Sequence, residues 1–230
     1  MSNFLIEYFT RRYQEPEKLP ATTGPLLTIS REFGCKAKYI AGMLVERLNT
    51  YHQPIGAKRP WELISKEIME MSAKELQIHP KHIEHIFKNE KRSSIDEFLL
   101  SISSNQYQSD WKIREVIRKV IRSLAHTGKY VIVGRAGAQI ARDLQNSLHI
   151  RLVAPVSWRI EQVMETYEIP RKDAAKRVKE MDLNRNRLLK AFSKDAECDY
   201  CYDVFFNMKY LTYHQVISDI IHLMQLKKLI

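Results

Sequence analysis

The chain has 230 residues, enough for one large domain with a substantial core or one domain carrying a small insert. Hydrophobic residues at 44% and charged residues at 28% exclude a disordered chain, and only three cysteines, Cys35, Cys198 and Cys201, exclude a disulfide framework. Lysine and arginine outnumber aspartate and glutamate by 37 to 27, and the formal net charge of +10 favours anionic partners: nucleotides, nucleic acid or an acidic surface.

At the N-terminus, Phe4, Leu5, Tyr8 and Phe9 have helical spacing, and Pro16 and Pro20 end any helix. A short helix and an extended arm are expected over residues 1–24, available to the domain or to a second subunit. Glu7 interrupts the apolar run and no small-residue cleavage site follows, so no signal peptide is expected here. No run reaches the length of a membrane-spanning helix, and the cytoplasm is the expected location.

Residues 26–30 form a short apolar run after Pro25 and suit a buried strand. A turn, Arg31-Glu32-Phe33-Gly34, follows. Ile40, Ala41, Leu44, Val45 and Leu48 then keep helical spacing. Strand, turn and helix in this order are the setting of a phosphate-binding loop. Residues 60–105 differ: helical stretches are expected at 61–76, 80–89 and 94–103, with no convincing strand, as an all-helical insert.

The strongest amphipathic helix is 110–126, with Trp111, Ile113, Val116, Ile117, Val120, Ile121 and Leu124 on its apolar stripe and Gly128 as its stop. A strand is expected at 130–133, and Gly134-Arg135-Ala136-Gly137 turns into another helix. Further strands are expected at 148–153 and 204–206, with helices at 158–167, 171–192 and 213–228. Short apolar strands alternating with helices predict a parallel sheet covered on both faces. Cys198 and Cys201 form one C-x-x-C pair with no second pair. His79, His82 and His85 are three apart, without an H-E-x-x-H pattern. No metal ligands are therefore predicted.

Three blocks, in this order, resemble the cytidylate kinase-like family of nucleoside monophosphate kinases. They are LLTISREFGCKAKYIAGMLVERL at 26–48, GKYVIVGRAGAQIARD at 128–143 with LHIRLVAPVSWRIEQV at 148–163, and KRVKEMDLNRNRLLKAF at 176–192 with YDVFFNM at 202–208. The resemblance spans most of the chain from Leu26 onward. It implies a three-layer α/β fold of the P-loop NTPase type over 25–230. A helical acceptor-side insert at 60–105 and an arginine-bearing lid at 170–195 are implied with it.

The family's loop reads S-R-E-Y-G-S-G-G-R-E-I-A. Here Gly34 is kept, Lys36 and Ala37 replace two glycines, Lys38 matches the arginine, and Tyr39 offers no aliphatic hydroxyl for magnesium. In such a loop, backbone N–H groups and a helix N-terminus surround the phosphates. The candidate phosphate-binding set is Ser30, Arg31, Gly34, Cys35, Ala37 and Tyr39, with Arg31, Lys36 and Lys38 supplying charge. Gly134 and Arg135 stand where the family meets the acceptor phosphate, a task suited to a guanidinium. Arg171, Arg177, Arg185 and Arg187 fall in the lid, where arginines neutralise the transferred phosphoryl group. Asp182 is expected to pair with Arg185 at i, i+3. Lys36, Lys38, Arg135 and Arg185 are the candidate catalytic residues. No general base is needed when a phosphate oxygen attacks.

Three functions remain open. The first is ATP-dependent phosphoryl transfer to a pyrimidine nucleotide such as CMP, with ATP and Mg2+ if active. The second is a catalytically impaired nucleotide- or phosphate-binding module, acting as sensor or scaffold. The third, a nucleic-acid binder, is disfavoured, because the positive charge is spread along the chain and 77–79 lacks a turn glycine. No membrane partner is expected, and a homodimer is left open.

Overall fold

A computed structural model describes residues 23–51, 59–77, 79–80, 83, 110–193 and 201–230. Five strands form the sheet: β1 (Leu26–Arg31), β2 (Glu62–Ile64), β3 (Tyr130–Val133), β4 (Ser147–Val153) and β5 (Val204–Asn207). The helices are α1 (Ala37–Tyr51), α2 (Glu67–Glu75), α3 (Asp110–Thr127), α4 (Gly137–Ala141), α5 (Val156–Tyr167), α6 (Arg171–Phe192) and α7 (Tyr213–Leu226). Strand order is β2-β3-β1-β4-β5, and every pairing is parallel. The expected α/β fold is present.

Alternate residues of the strands feed opposite faces, as the pleat requires. Leu26, Tyr130, Ile132 and Ile64 pack under α2, α3 and α4, among Ile68, Ile117, Ile121 and Ile140. Leu27, Ile29, Val131, Val133, Ile150 and Leu152 pack under α1 and α7, among Ile40, Leu44, Val216 and Ile220. Covered on both sides, β1 and β3 read in sequence as apolar runs rather than as alternation. A smaller cluster of Phe33, Val163, Ala174 and Val178 joins α5 to the start of α6.

One expectation is corrected. Residues 61–76 do not form a single helix: Glu62–Ile64 is the edge strand β2, with Glu62 opposite Tyr130 and Ile64 opposite Ile132. Three residues are too few to show a period. What makes them a strand is β3 beside them, a partner almost seventy positions away, and strand preference is set by such context. The Asn49 side chain holds the entry: its Oδ1 accepts the Trp61 N–H at 2.7 Å and its Nδ2 donates to the Trp61 carbonyl at 3.0 Å.

The expected helix at 213–228 ends at Leu226, and its start is fixed by a capping box. Thr212 Oγ1 accepts the Gln215 N–H at 3.3 Å, and Gln215 Oε1 accepts the Thr212 N–H at 2.9 Å. Residues 1–22 of the N-terminal arm, most of the expected helix at 80–89, all of that at 94–103, His82, His85 and Cys198 lie outside the described residues. Among the described residues, no helix is long and apolar enough to cross a membrane, and no group of three metal-ligating side chains occurs.

Candidate functional site

In an open parallel sheet, ligands sit beyond the carboxyl ends of the strands. Two of the turns at that end carry the candidate residues, one after β1 and one after β3. The first runs from Arg31 to Lys36 and opens α1. Gly34 has φ +98°, and a Cβ on it would stand 2.9 Å from the Arg159 carbonyl oxygen, so glycine is required both by conformation and by space. Lys36 has φ +45°, a left-handed backbone held by a lysine where the family has glycine. Cys35 turns inward among Ile40, Leu152 and Val216. Burial first, then Glu32, pushes its thiol up to about 12, so it is an inert core group rather than a nucleophile.

The second turn is tighter. Gly134, Arg135 and Ala136 all have positive φ, at +73°, +55° and +55°. The Gly134 N–H donates to the Ile29 carbonyl at 2.9 Å, which ties this turn to β1. A Cβ at Gly134 would overlap Nη1 of Arg31 and stand 2.9 Å from its Cζ. The Arg31 guanidinium therefore occupies the space that the missing side chain leaves. Among the described residues, no carboxylate or carbonyl pairs with it. Burial, then the charges of Arg185 and Arg135, lower its pKa to about 9. Three guanidinium groups thus converge without an acid beside Arg31. Arg135 is steadied by Nε donating to the Ser65 carbonyl at 3.3 Å.

Behind the first turn lies an ionic knot. Arg159 of α5 is 4% exposed. Its Nε donates to the Ala154 carbonyl at 2.9 Å and meets Glu32 Oε2 at 3.2 Å. Its Nη1 donates to the Phe33 carbonyl at 3.2 Å and to Asp182 Oδ2. Asp182 Oδ1 accepts the Phe33 N–H at 2.8 Å, and Glu32 Oε2 accepts the Ala154 N–H at 3.0 Å. The turn after β1, the end of β4, α5 and α6 are thereby joined at one buried guanidinium. The expected pair of Asp182 with Arg185 exists, at 3.9 Å, but is the longest of these contacts.

Two cavities flank the knot. One, of about 390 Å³, is lined by Ser30, Gly134, Arg135, Arg151, Asn184 and Asn186, with Met69 and Met181. The other, of about 630 Å³, is lined by Gly34, Lys36, Ala37, Lys38 and Tyr39 on one side and Gln162, Thr166, Tyr167 and Tyr213 on the other. Arg31, Glu32 and Arg185 line both, and so mark the junction. Arg185 lies over the Phe33 ring at 5.2 Å, and burial lowers its pKa. Its Nη1 is buried without a hydrogen-bond acceptor.

Of the residues singled out from sequence, Ser30, Arg31, Gly34, Lys36, Ala37, Lys38, Tyr39, Gly134, Arg135 and Arg185 meet at these cavities. Ser30 Oγ accepts the Tyr202 hydroxyl at 3.0 Å, and Gln139 Nε2 donates to that hydroxyl at 2.9 Å. Cys35 faces the core instead. Arg177 stacks on Tyr167 at 3.9 Å, beside the second cavity but not in its wall. Arg187 is exposed on α6 and lines neither. Arg171 is exposed and 3.9 Å from Glu161. Sequence reasoning missed Arg159, Glu32 and Asp182 as a unit, and Arg151 in the cavity wall. An arginine amid the apolar spacing of α5 was the one signal available for the first.

The sequence profile of the cytidylate kinase-like family matches residues 26–210. Among solved structures, an uncharacterized protein from Eubacterium ventriosum ATCC 27560 aligns with a TM-score of 0.59 at 21% identity, over 87% of this chain and 98% of that one. A shikimate kinase from Acinetobacter baumannii, in complex with shikimate, aligns with a TM-score of 0.47 at 10% identity, over 90% of this chain and 96% of that one. Among curated proteins, a uronate isomerase from Corynebacterium glutamicum is 26% identical over 120 residues, which are 52% of this chain and 23% of that protein. The chain spans under a quarter of that relative, whose activity is not carried over.

Proposed function

This chain belongs to the cytidylate kinase-like family, and from that premise we propose that it transfers a phosphoryl group from ATP to a pyrimidine nucleoside monophosphate such as CMP. One observation carries the reading: Arg31 and Arg185 line both cavities, Arg135 lines the first beside them, and Arg31 has no acidic partner among the described residues. Buried positive charge without a counter-ion is costly and favours binding of an anion. The cavity beside α1 would take the donor, and the cavity beside Arg135 the acceptor.

In the reaction, an oxygen of the acceptor monophosphate forms a bond to the terminal phosphorus of ATP. The bond from that phosphorus to the bridging oxygen breaks, and ADP leaves with the electron pair. Positioning and electrostatics supply almost all the catalysis in such chemistry. Arg135 would orient the acceptor phosphate, and Arg185 would neutralise charge on the group in flight. The loop's donor set does not fit a tightly held magnesium ion. Glu32 and Asp182 are both engaged by Arg159, the Ser30 hydroxyl is held by Tyr202, and Tyr39 turns edge-on to Tyr213 at 5.4 Å. The substrates make the cytoplasm the compartment of the proposed reaction.

A second reading, nucleotide binding without turnover, is favoured by the Phe33 N–H. A phosphate loop aims its amides at the ligand, and here that amide is held by Asp182. A screen of nucleoside monophosphates with ATP and Mg2+, read as ADP formed, separates the two. ADP formation that depends on one monophosphate is the expected result. ATP binding by calorimetry without ADP formation would replace the kinase with the binding module, and no binding at all would remove both.

A further inference from the structure

We infer that Arg31, seated against Gly134, takes over the task of the phosphate-loop cation, whose own position is held by the exposed Lys38: its guanidinium contacts the terminal phosphate of the donor nucleotide. The inference rests on the kinase reading and gives the donor phosphate a named side-chain partner.

Four observations converge. The loop keeps a single glycine, and although Lys38 stands at the position of the usual lysine, Tyr39 follows it in place of a serine or threonine. Lys38 is exposed and Lys36 is half-buried at the mouth of the donor cavity, so neither is held at the junction. Arg31 lies at the carboxyl end of the central strand and lines both cavities. Its position is also built. Gly134 clears the space for it, and the Gly134 N–H on the Ile29 carbonyl fixes that space relative to β1. The depressed pKa agrees with a cation awaiting a counter-ion, and Arg135 and Arg185 reinforce it from the neighbouring turn and the lid. A guanidinium also offers two parallel donors to phosphate oxygens, where a lysine gives a point charge.

The seating gives a test with its own signature. Kinetics and ATP calorimetry on the full-length protein would compare Arg31→Ala, Arg31→Lys, Gly134→Ala and the Arg31→Ala/Gly134→Ala double variant, with circular dichroism and thermal midpoints to check folding. Arg31→Ala is expected to lower kcat at least a hundredfold, and Arg31→Lys to recover at least tenfold of that loss. Gly134→Ala displaces the guanidinium and should reproduce the loss. The double variant should be no worse than Arg31→Ala, because both changes remove the same contact. A merely structural glycine would add its own loss to that of Arg31. Unchanged kcat in folded Arg31→Ala, or additive losses, would overturn the assignment.

Should the wild type bind ATP without turnover, the kinase reading falls and Arg31 is judged by affinity alone. A tenfold or greater loss of ATP affinity in Arg31→Ala then upholds the contact, and unchanged affinity removes it. Wild-type protein that binds no ATP removes both. Where Gly134→Ala fails to fold, the Arg31→Ala and Arg31→Lys pair decides.

Discussion

The turns after β1 and β3 leave adjacent parallel strands at the same end of the sheet, yet they are built on different chemistry. The first is wide and would offer phosphates its backbone amides, but the Phe33 N–H goes to Asp182 and the Phe33 carbonyl to Arg159. The second is narrow, with three consecutive left-handed residues, and what it offers is space: a vacancy at Gly134 filled by the guanidinium of the first turn. On the proposed reading, anion binding at this end of the sheet rests on arginine side chains more than on main-chain amides. A loop that has lost glycines can keep the task if the neighbouring turn makes room for a cation.

The largest break in that contrast is at Arg185. Arg185→Ala should lower kcat about a thousandfold, near 4 kcal/mol, with a smaller change in ATP affinity, because the charge it meets develops in transfer. Steady-state kinetics on a folded variant check this, and a rate within tenfold of wild type would take Arg185 out of the reaction.

Next comes the knot. Arg159→Ala leaves Glu32 and Asp182 without their shared counter-charge and should cost about 3 kcal/mol, the low end for a buried pair because both carboxylates reach solvent. Urea denaturation measures it. A loss under 1 kcal/mol would show that the lid helix and the first turn hold together without the guanidinium.

A smaller effect tests the sheet beneath the turns. His149 is buried, with Nδ1 2.7 Å from Thr28 Oγ1 and Nε2 2.9 Å from Ser147 Oγ, and burial lowers its pKa from 6.5 to about 4. The unfolded chain therefore takes up a proton before the folded one does. The stability due to the neutral ring is complete above pH 6.5 and is lost as pH falls toward 4, by up to about 3 kcal/mol in all. Denaturant midpoints from pH 7 to 4.5 should fall more steeply for wild type than for His149→Gln, and equal slopes would refute this.

The smallest effect sharpens the contrast itself. Lys36→Gly relieves a left-handed lysine and should stabilise the protein by about 1 kcal/mol. It should change ATP affinity less than threefold, since the loop backbone is not the main ligand. Calorimetry showing a tenfold gain would return the binding task to the loop amides.

Elements with many residues in period were legible from the chain alone. The helices Asp110–Thr127 and Arg171–Phe192 agree with their apolar spacing, and the strand Tyr130–Val133 with its unbroken run. Among candidate site residues, Arg135 and Arg185 could be singled out because the short patterns around them resemble the family's acceptor turn and lid. The edge strand Glu62–Ile64 could not, since its identity comes from β3. Nor could the knot at Arg159, whose partners Glu32, Phe33 and Asp182 lie 127, 126 and 23 positions away.

By itself, the sequence determined the local geometry: where strands give way to turns, which faces of the helices are apolar, and that the net charge is positive. These follow from short-range sterics and from burial averaged along a few turns. Only the tertiary structure decided that Cys35 points inward, that Arg31 fills the place of an absent side chain at Gly134, and that Arg31 and Arg185 stand between two cavities with Arg135 in the wall of one. Such arrangements depend on distances between residues far apart in the chain, which folding sets when the two faces of the sheet are covered and the strand ends are brought level.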